Sequence, residues 1–190
     1  MDSKQAKTPP LSSKTKILCF DVETNGLHGD AFAVGAVVMD SNGVMIDEFT
    51  ARTKINGQVN PWVEKNVLPV VQDMPLTHTS EKDLREAFWK WFVSAEETAD
   101  YVLVGNGYPV EYRFLMKCQE ANLEERYWQH PFPILDLFSL LIQIGDKSSK
   151  SKLLGEIINE HKLMLHNPLD DAKMTALAAF RAFQLSGRID

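Results

Sequence analysis

Residues Ile17-Leu18-Cys19-Phe20-Asp21-Val22-Glu23-Thr24-Asn25-Gly26-Leu27 form an apolar run that delivers two acids one residue apart and then stops at an Asn-Gly turn. The hydrophobic approach reads as a buried strand whose end reaches a cleft. Side chains alternate between the faces of a strand, so Asp21 and Glu23 point the same way. Two carboxylates held side by side repel each other, and a divalent cation is the usual remedy. Spacing by itself is weak, because 26 acids among 190 residues produce about one Asp-x-Glu by chance. The bland alternative is a strand end carrying solvated acids ahead of a turn.

Outward from this strand, Phe32 to Met39 and Met45 to Thr53 read as two further strands joined by the turn Asp40-Ser41-Asn42-Gly43, which makes an antiparallel meander with the first. From Glu81 the period becomes helical, with Leu84, Phe88, Trp91 and Ala95 on one stripe and Ser80 with Asp83 as a capping box. Tyr101 to Val104 is a short strand, and Pro109 opens a helical run to about Asn122. Ile134 to Ile144 reads as a helix packed on the sheet, Leu153 to His161 as a shorter one, and Leu169 to Leu185 as the strongest helix of the chain. This order predicts an α/β fold with a mixed central sheet flanked by helices. Residues 1–14 lack periodicity and read as a flexible tail, leaving 15–190 as one folded domain.

Composition agrees with a soluble domain, at 44% hydrophobic and 24% charged residues. No apolar stretch approaches the length a bilayer needs, and the polar start lacks the hydrophobic segment of a secretory signal, so a cytoplasmic protein is expected. Cys19 and Cys118 have no metal or redox spacing and read as buried thiols. A net charge of −6 argues against a surface that coats duplexes. It leaves nucleic acid open as a substrate, since clustered carboxylates that await metal ions make such a protein acidic.

A second constellation is His166-Asn167-Pro168-Leu169-Asp170-Asp171-Ala172. Pro168 suits the opening of the last helix, which puts Asp171 in its first turn and His166 in the preceding loop, where flexibility lets the imidazole approach a cleft. Asp170 and Asp171 could instead only complement the helix dipole. His78 and Asp83 repeat the spacing ahead of another helix, but Asp83 already serves the Ser80 cap.

Together, Phe20-Asp21-Val22-Glu23-Thr24-x-Gly26-Leu27 and His166-x-x-x-x-Asp171-Ala172 resemble the end motifs of the DEDDh family of 3'-5' exonucleases, over a span from Thr15 to about Ser186. The family's middle motif reads His-Asn-x-x-Phe-Asp-x-x-Phe-Leu. Here Gly105-Asn106-Gly107-Tyr108-Pro109-Val110-Glu111-Tyr112-Arg113-Phe114-Leu115 stands in its place, with Glu111 at the ligand position, one extra residue after Asn106, and Gly105 for the His. Glu keeps an oxygen donor for a hard cation; its bland reading is a first-turn acid after Pro109.

The resemblance implies a ribonuclease H-like fold and hydrolysis of single-stranded DNA or RNA from the 3' end to nucleoside 5'-monophosphates. It implies Asp21, Glu23, Glu111 and Asp171 as ligands of two Mg²⁺ or Mn²⁺ ions, His166 as general base, and Thr24 and Leu27 as contacts to the terminal nucleotide, with Leu27 wedged against its base. Imidazole suits the proton-accepting role because its charge changes close to neutral pH.

Lys147-Ser148-Ser149-Lys150-Ser151-Lys152 reads either as a solvated loop or as a substrate-backbone contact, and Asp136 as structural. The helix around Trp89 is a candidate surface for a homodimer. The aspartyl phosphatases also begin with paired acids at a strand end, but their second acid is Asp and His166 would have no role there. The stronger rival is an exonuclease-like fold that only binds nucleic acid or a protein partner.

Overall fold

The computed structural model describes residues 15–129, 131, 133–146 and 151–186, so the expected tail and Lys147 to Lys150 lie outside the described residues. Strand β1 (Lys16–Thr24) runs beyond the apolar segment to include both acids. It pairs antiparallel with β2 (Ala31–Asp40), which pairs antiparallel with β3 (Met45–Arg52), as the meander requires. On the other side β1 pairs in parallel with β4 (Tyr101–Val104), and β4 in parallel with β5 (Ile134–Asp136), giving the order β3-β2-β1-β4-β5.

Ile134 to Ile144 is therefore not one helix. Its first three residues form the edge strand β5, and only then does α6 (Leu137–Gln143) begin, with Asp136 as the cap that accepts from the Ser139 N–H. Three residues are too few to display strand alternation. Two short helices, α1 (Pro61–Asn66) and α2 (Leu68–Val71), occupy a stretch without clear periodicity. They are followed by α3 (Glu81–Glu96), α4 (Val110–Glu120), α5 (Leu123–Arg126), α7 (Lys152–His161) and α8 (Pro168–Leu185).

Alternation along β1 decides what each face of the sheet does. Leu18, Phe20 and Val22 face α3 and α4, in a core with Leu84, Phe88, Phe92 and Phe114. Ile17 and Cys19 face the opposite layer of α6, α7 and α8, with Leu141, Ile157, Ala176 and Phe183. Asp21 and Glu23 continue this second set, so they emerge on the side of α8. Strand β2 is buried from Ala31 to Met39, as befits a strand covered on both faces.

At the start of β2, Phe32 and Ala33 meet Val63, Val67 and Val71, which seats α1 and α2 over that end of the sheet. Trp89 is buried and stacks on Phe92, so it belongs to the core. Both cysteines are buried free thiols. Among the described residues no helix is long and apolar enough to cross a membrane.

Candidate active site

β1 outlasts its parallel neighbour. The β1–β4 ladder ends at Phe20 and Val104, so Asp21 to Thr24 have a strand partner only on the β2 side. A cleft of about 610 Å³ opens there, at the carboxyl ends of the two parallel strands, where α/β sheets generally hold ligands. Asp21, Glu23, Thr24, Leu27, His166 and Asp171 all line it, together with Asn60, Trp62, Asn106, Phe138 and Met174.

The approach of α8 depends on Gly35, which pairs with Asp21 across β1 and β2. A Cβ at Gly35 would lie 2.2 Å from the Leu169 nitrogen and 2.3 Å from the Pro168 carbonyl carbon. The bare backbone thus lets the first turn of α8 rest directly on β2 and carries Asp171 to the acids of β1. Asn167 caps that turn by accepting from the Leu169 and Asp170 amides, with Pro168 in the first helical position.

Both acids after Pro168 tie down the preceding loop. Asp170 Oδ2 accepts from the Met164 N–H at 3.0 Å, and Asp171 Oδ2 accepts from the His166 N–H at 2.8 Å. His166 has a left-handed backbone, φ 66°, so its ring is presented by a pinned conformation rather than by a loose loop. Its Nδ1 lies 3.7 Å from Glu23 Oε1, and its ring meets the edge of Trp62 with centroids 5.3 Å apart.

Glu111 comes from α4, on the opposite face, and reaches past the end of β4. It is 6% exposed, and close enough to β1 for the Val22 backbone amide to favour its charged form. Asp136 stands behind it, holding the Gly107 amide at 3.3 Å as well as capping α6.

Crowding of these acids in a desolvated site raises their pKa values. Burial pushes Glu23 up to about 8, reinforced by the charges of Asp171 and Glu111. Burial likewise carries Asp171 up to about 7, with Asp170 adding to it and the His166 amide opposing. Glu111 rises to about 7, mainly through burial, against the pull of backbone amides including that of Val22. Asp21 is raised well above the ordinary carboxylate range by burial and then by Asp171, Glu111 and Glu23. Asp21 feels all three of the other acids, Glu23 feels Asp171 and Glu111, and Glu111 feels Asp136 and Asp171, although Glu111 itself is not among the residues that line the cleft.

The cluster's donor chemistry suits hard cations. One ligand atom each from Glu23, His166 and Asp171 lie within 4.8 Å of one another. No Lys or Arg pairs with any of the four acids among the described residues, and the basic group beside them is the His166 imidazole.

Leu27 is 64% exposed at the mouth of the cleft, whereas the Thr24 hydroxyl is turned onto the Gly26 carbonyl at 2.9 Å. Trp62, 56% exposed, forms a cleft wall that sequence reasoning missed. Its one signal was Asn60-Pro61, a cap followed by proline, at the start of a helix only six residues long. His78 and Asp83, the control pair, stay outside the cleft: Asp83 is taken up by the hydroxyls of Thr79 and Ser80.

No family profile and no curated protein sequence matches the chain. Solved structures do. An exonuclease I structure aligns over 91% of this chain and 42% of its own, with 15% identity and a TM-score of 0.62. A 3'-exonuclease that recognises the histone mRNA stem-loop aligns over 94% of this chain and 86% of its own, with 15% identity and a TM-score of 0.62. A zinc-bound complex of E. coli exonuclease I with single-stranded DNA aligns over 90% of this chain and 41% of its own, with 16% identity and a TM-score of 0.61. The chain therefore has the ribonuclease H-like fold of exonucleases, and spans about two fifths of the exonuclease I chains it matches.

Proposed function

We propose that this protein is a metal-dependent 3'-5' exonuclease that removes nucleoside 5'-monophosphates from single-stranded DNA or RNA. The observation that carries this reading is the cleft where Asp21 and Glu23 of β1 meet Asp171 of α8 and the His166 imidazole, with Glu111 buried on α4 and, among the described residues, no Lys or Arg paired with any of these acids. The likeness in fold to exonucleases supports it.

Asp21, Glu23, Glu111 and Asp171 would hold two Mg²⁺ or Mn²⁺ ions, which when bound supply Lewis-acid polarisation of a phosphodiester and of the attacking water. Glu111, buried on α4, would offer a carboxylate oxygen to a cation, so Glu in place of the family's Asp leaves a donor in place. His166 accepts the proton of the attacking water: its ring borders Glu23 and its backbone is fixed by Asp171, whereas the carboxylates would be taken up by cations when these are bound. Leu27 and Trp62 form the two apolar walls between which a terminal base rests, since every base offers a face for stacking. The Thr24 hydroxyl holds the turn that presents Leu27 and meets the nucleotide by its exposed side.

Paired DNA and RNA oligonucleotides, incubated with EDTA, Mg²⁺ or Mn²⁺, provide the test. Metal-dependent shortening from the 3' end with release of 5'-monophosphates is expected, and its loss in Asp21→Asn and His166→Ala. Binding without degradation in every metal would overturn the reading in favour of a non-catalytic module.

A further inference from the structure

Asn25 follows the paired acids, and its side chain turns away from them. Its Nδ2 donates to the Gln58 carbonyl at 2.9 Å, and its Oδ1 accepts from the Asn60 N–H at 2.7 Å. Asn60 is the cap of α1, its Oδ1 accepting from the Trp62 N–H at 2.9 Å, so the amide of Asn25 connects β1 to the residue that starts the helix carrying Trp62. Residues 54–60 are otherwise held, among the described residues, by apolar contacts, with Ile55 and Val59 packed on the small cluster at the start of β2. Asn25 itself is fixed independently, because its N–H donates to the Asp30 carbonyl and the Gly26 and Gly29 amides close the same loop. The two segments also touch closely: a Cβ at Gly26, whose φ is 81°, would stand 2.9 Å from Asn60 Nδ2.

We infer that Asn25 is a positioning residue that locks α1, and with it the Trp62 wall, to the strand bearing the acids. The inference rests on the proposed nuclease reading for its effect on substrate, though not for the clamp itself. A primary amide is the group that both donates and accepts across this gap, and the wall is thereby held in register with the site of cleavage. Losing the clamp would let α1 drift on its apolar contacts, weakening the grip on the terminal nucleotide; the acids lie on other elements, and His166, though its ring meets Trp62, keeps its backbone tie to Asp171.

Hydrogen exchange of amides 58–67, read by mass spectrometry, tests the clamp without reference to activity. In Asn25→Ala these amides should exchange about tenfold faster or more, as the loss of two hydrogen bonds implies. Asn25→Asp, which keeps the acceptor for Asn60 but loses the donor, should fall between. On a single-stranded oligonucleotide Asn25→Ala should raise KM about tenfold with kcat changed by less than about threefold, as Trp62→Ala should. Combining the two should add no further rise. Unchanged exchange at 58–67 would overturn the clamp, and an additive KM effect in the double variant would overturn its action through Trp62. If the unaltered protein degrades nothing, the nuclease reading fails by itself, and the exchange comparison still decides whether Asn25 holds α1.

Discussion

Without metal ions, the protein should lose stability as the pH rises from 5 to 8, and divalent cations should restore it. Glu23, Glu111 and Asp171 have ordinary values of 4.5, 4.5 and 3.8, and stand at about 8, 7 and 7 in the fold. Between those limits the folded protein retains protons that the unfolded chain has released, so stability is greatest below the unfolded values and falls as pH climbs through the folded ones. Asp171 is displaced by about three pH units, of which about two, from pH 5 to 7, lie in this window and are worth ~3 kcal/mol at ~1.4 kcal/mol per unit. Burial is the main cause for each acid, and because neighbouring groups titrate together, one group's worth is taken as the scale for the whole cluster. A domain of this size loses about 2–4 °C per kcal/mol, which predicts a melting temperature about 10 °C lower at pH 8 than at pH 5 in EDTA. Mg²⁺ or Mn²⁺ should recover most of that at pH 8 and little at pH 5, where protons compete for the same oxygens. Differential scanning fluorimetry across this grid reads the effect directly. A melting temperature that rises with pH in EDTA, or ignores both metals at pH 8, would refute the cluster. Asp171→Asn should flatten the pH dependence, since the amide can still accept from the His166 N–H.

Other consequences can be measured separately. Glu111→Gln should abolish nuclease activity while Glu111→Asp keeps a part of it; a harmless Gln together with an inactivating Asn106→Ala would move the middle ligand elsewhere. Trp62→Ala should raise KM for single-stranded oligonucleotides about tenfold, the scale of one base–aromatic stack, with little change in kcat; an unchanged KM would remove Trp62 from the site. Gly35→Ala should destabilise the fold by about 3 kcal/mol or more in urea unfolding, because its Cβ meets backbone rather than a movable side chain; a loss below about 1 kcal/mol would contradict the close approach of α8.

What could be read from sequence was what local chemistry determines. Asp21 and Glu23 share a face through strand alternation, and Asn167-Pro168 marks a helix start that sets Asp171 in the first turn. Glu111 became visible through family likeness, since its environment depends on how far β1 outruns β4. Gly35 and Trp62 were silent for a related reason. A glycine inside Ala31 to Asp40 shows no sign of the helix that will lie on it, and Trp62 sits in a six-residue helix anchored by Val63 alone among its own residues. Both depend on elements far away in the chain, and no window of residues contains that information.

The early end of β4 has one more consequence. A strand normally satisfies its backbone on both edges, yet from Asp21 to Thr24 the edge away from β2 has no strand to bond. The buried carboxylate of Glu111 lies near the Val22 amide there, so a side chain rather than a strand borders that part of the edge. The opening is thus measured in residues: four at about 3.3 Å each give roughly 13 Å of bare edge. Lengthening β4 by two residues would halve that gap. The difference in length between two neighbouring strands is therefore the dimension that sizes the opening of the cleft.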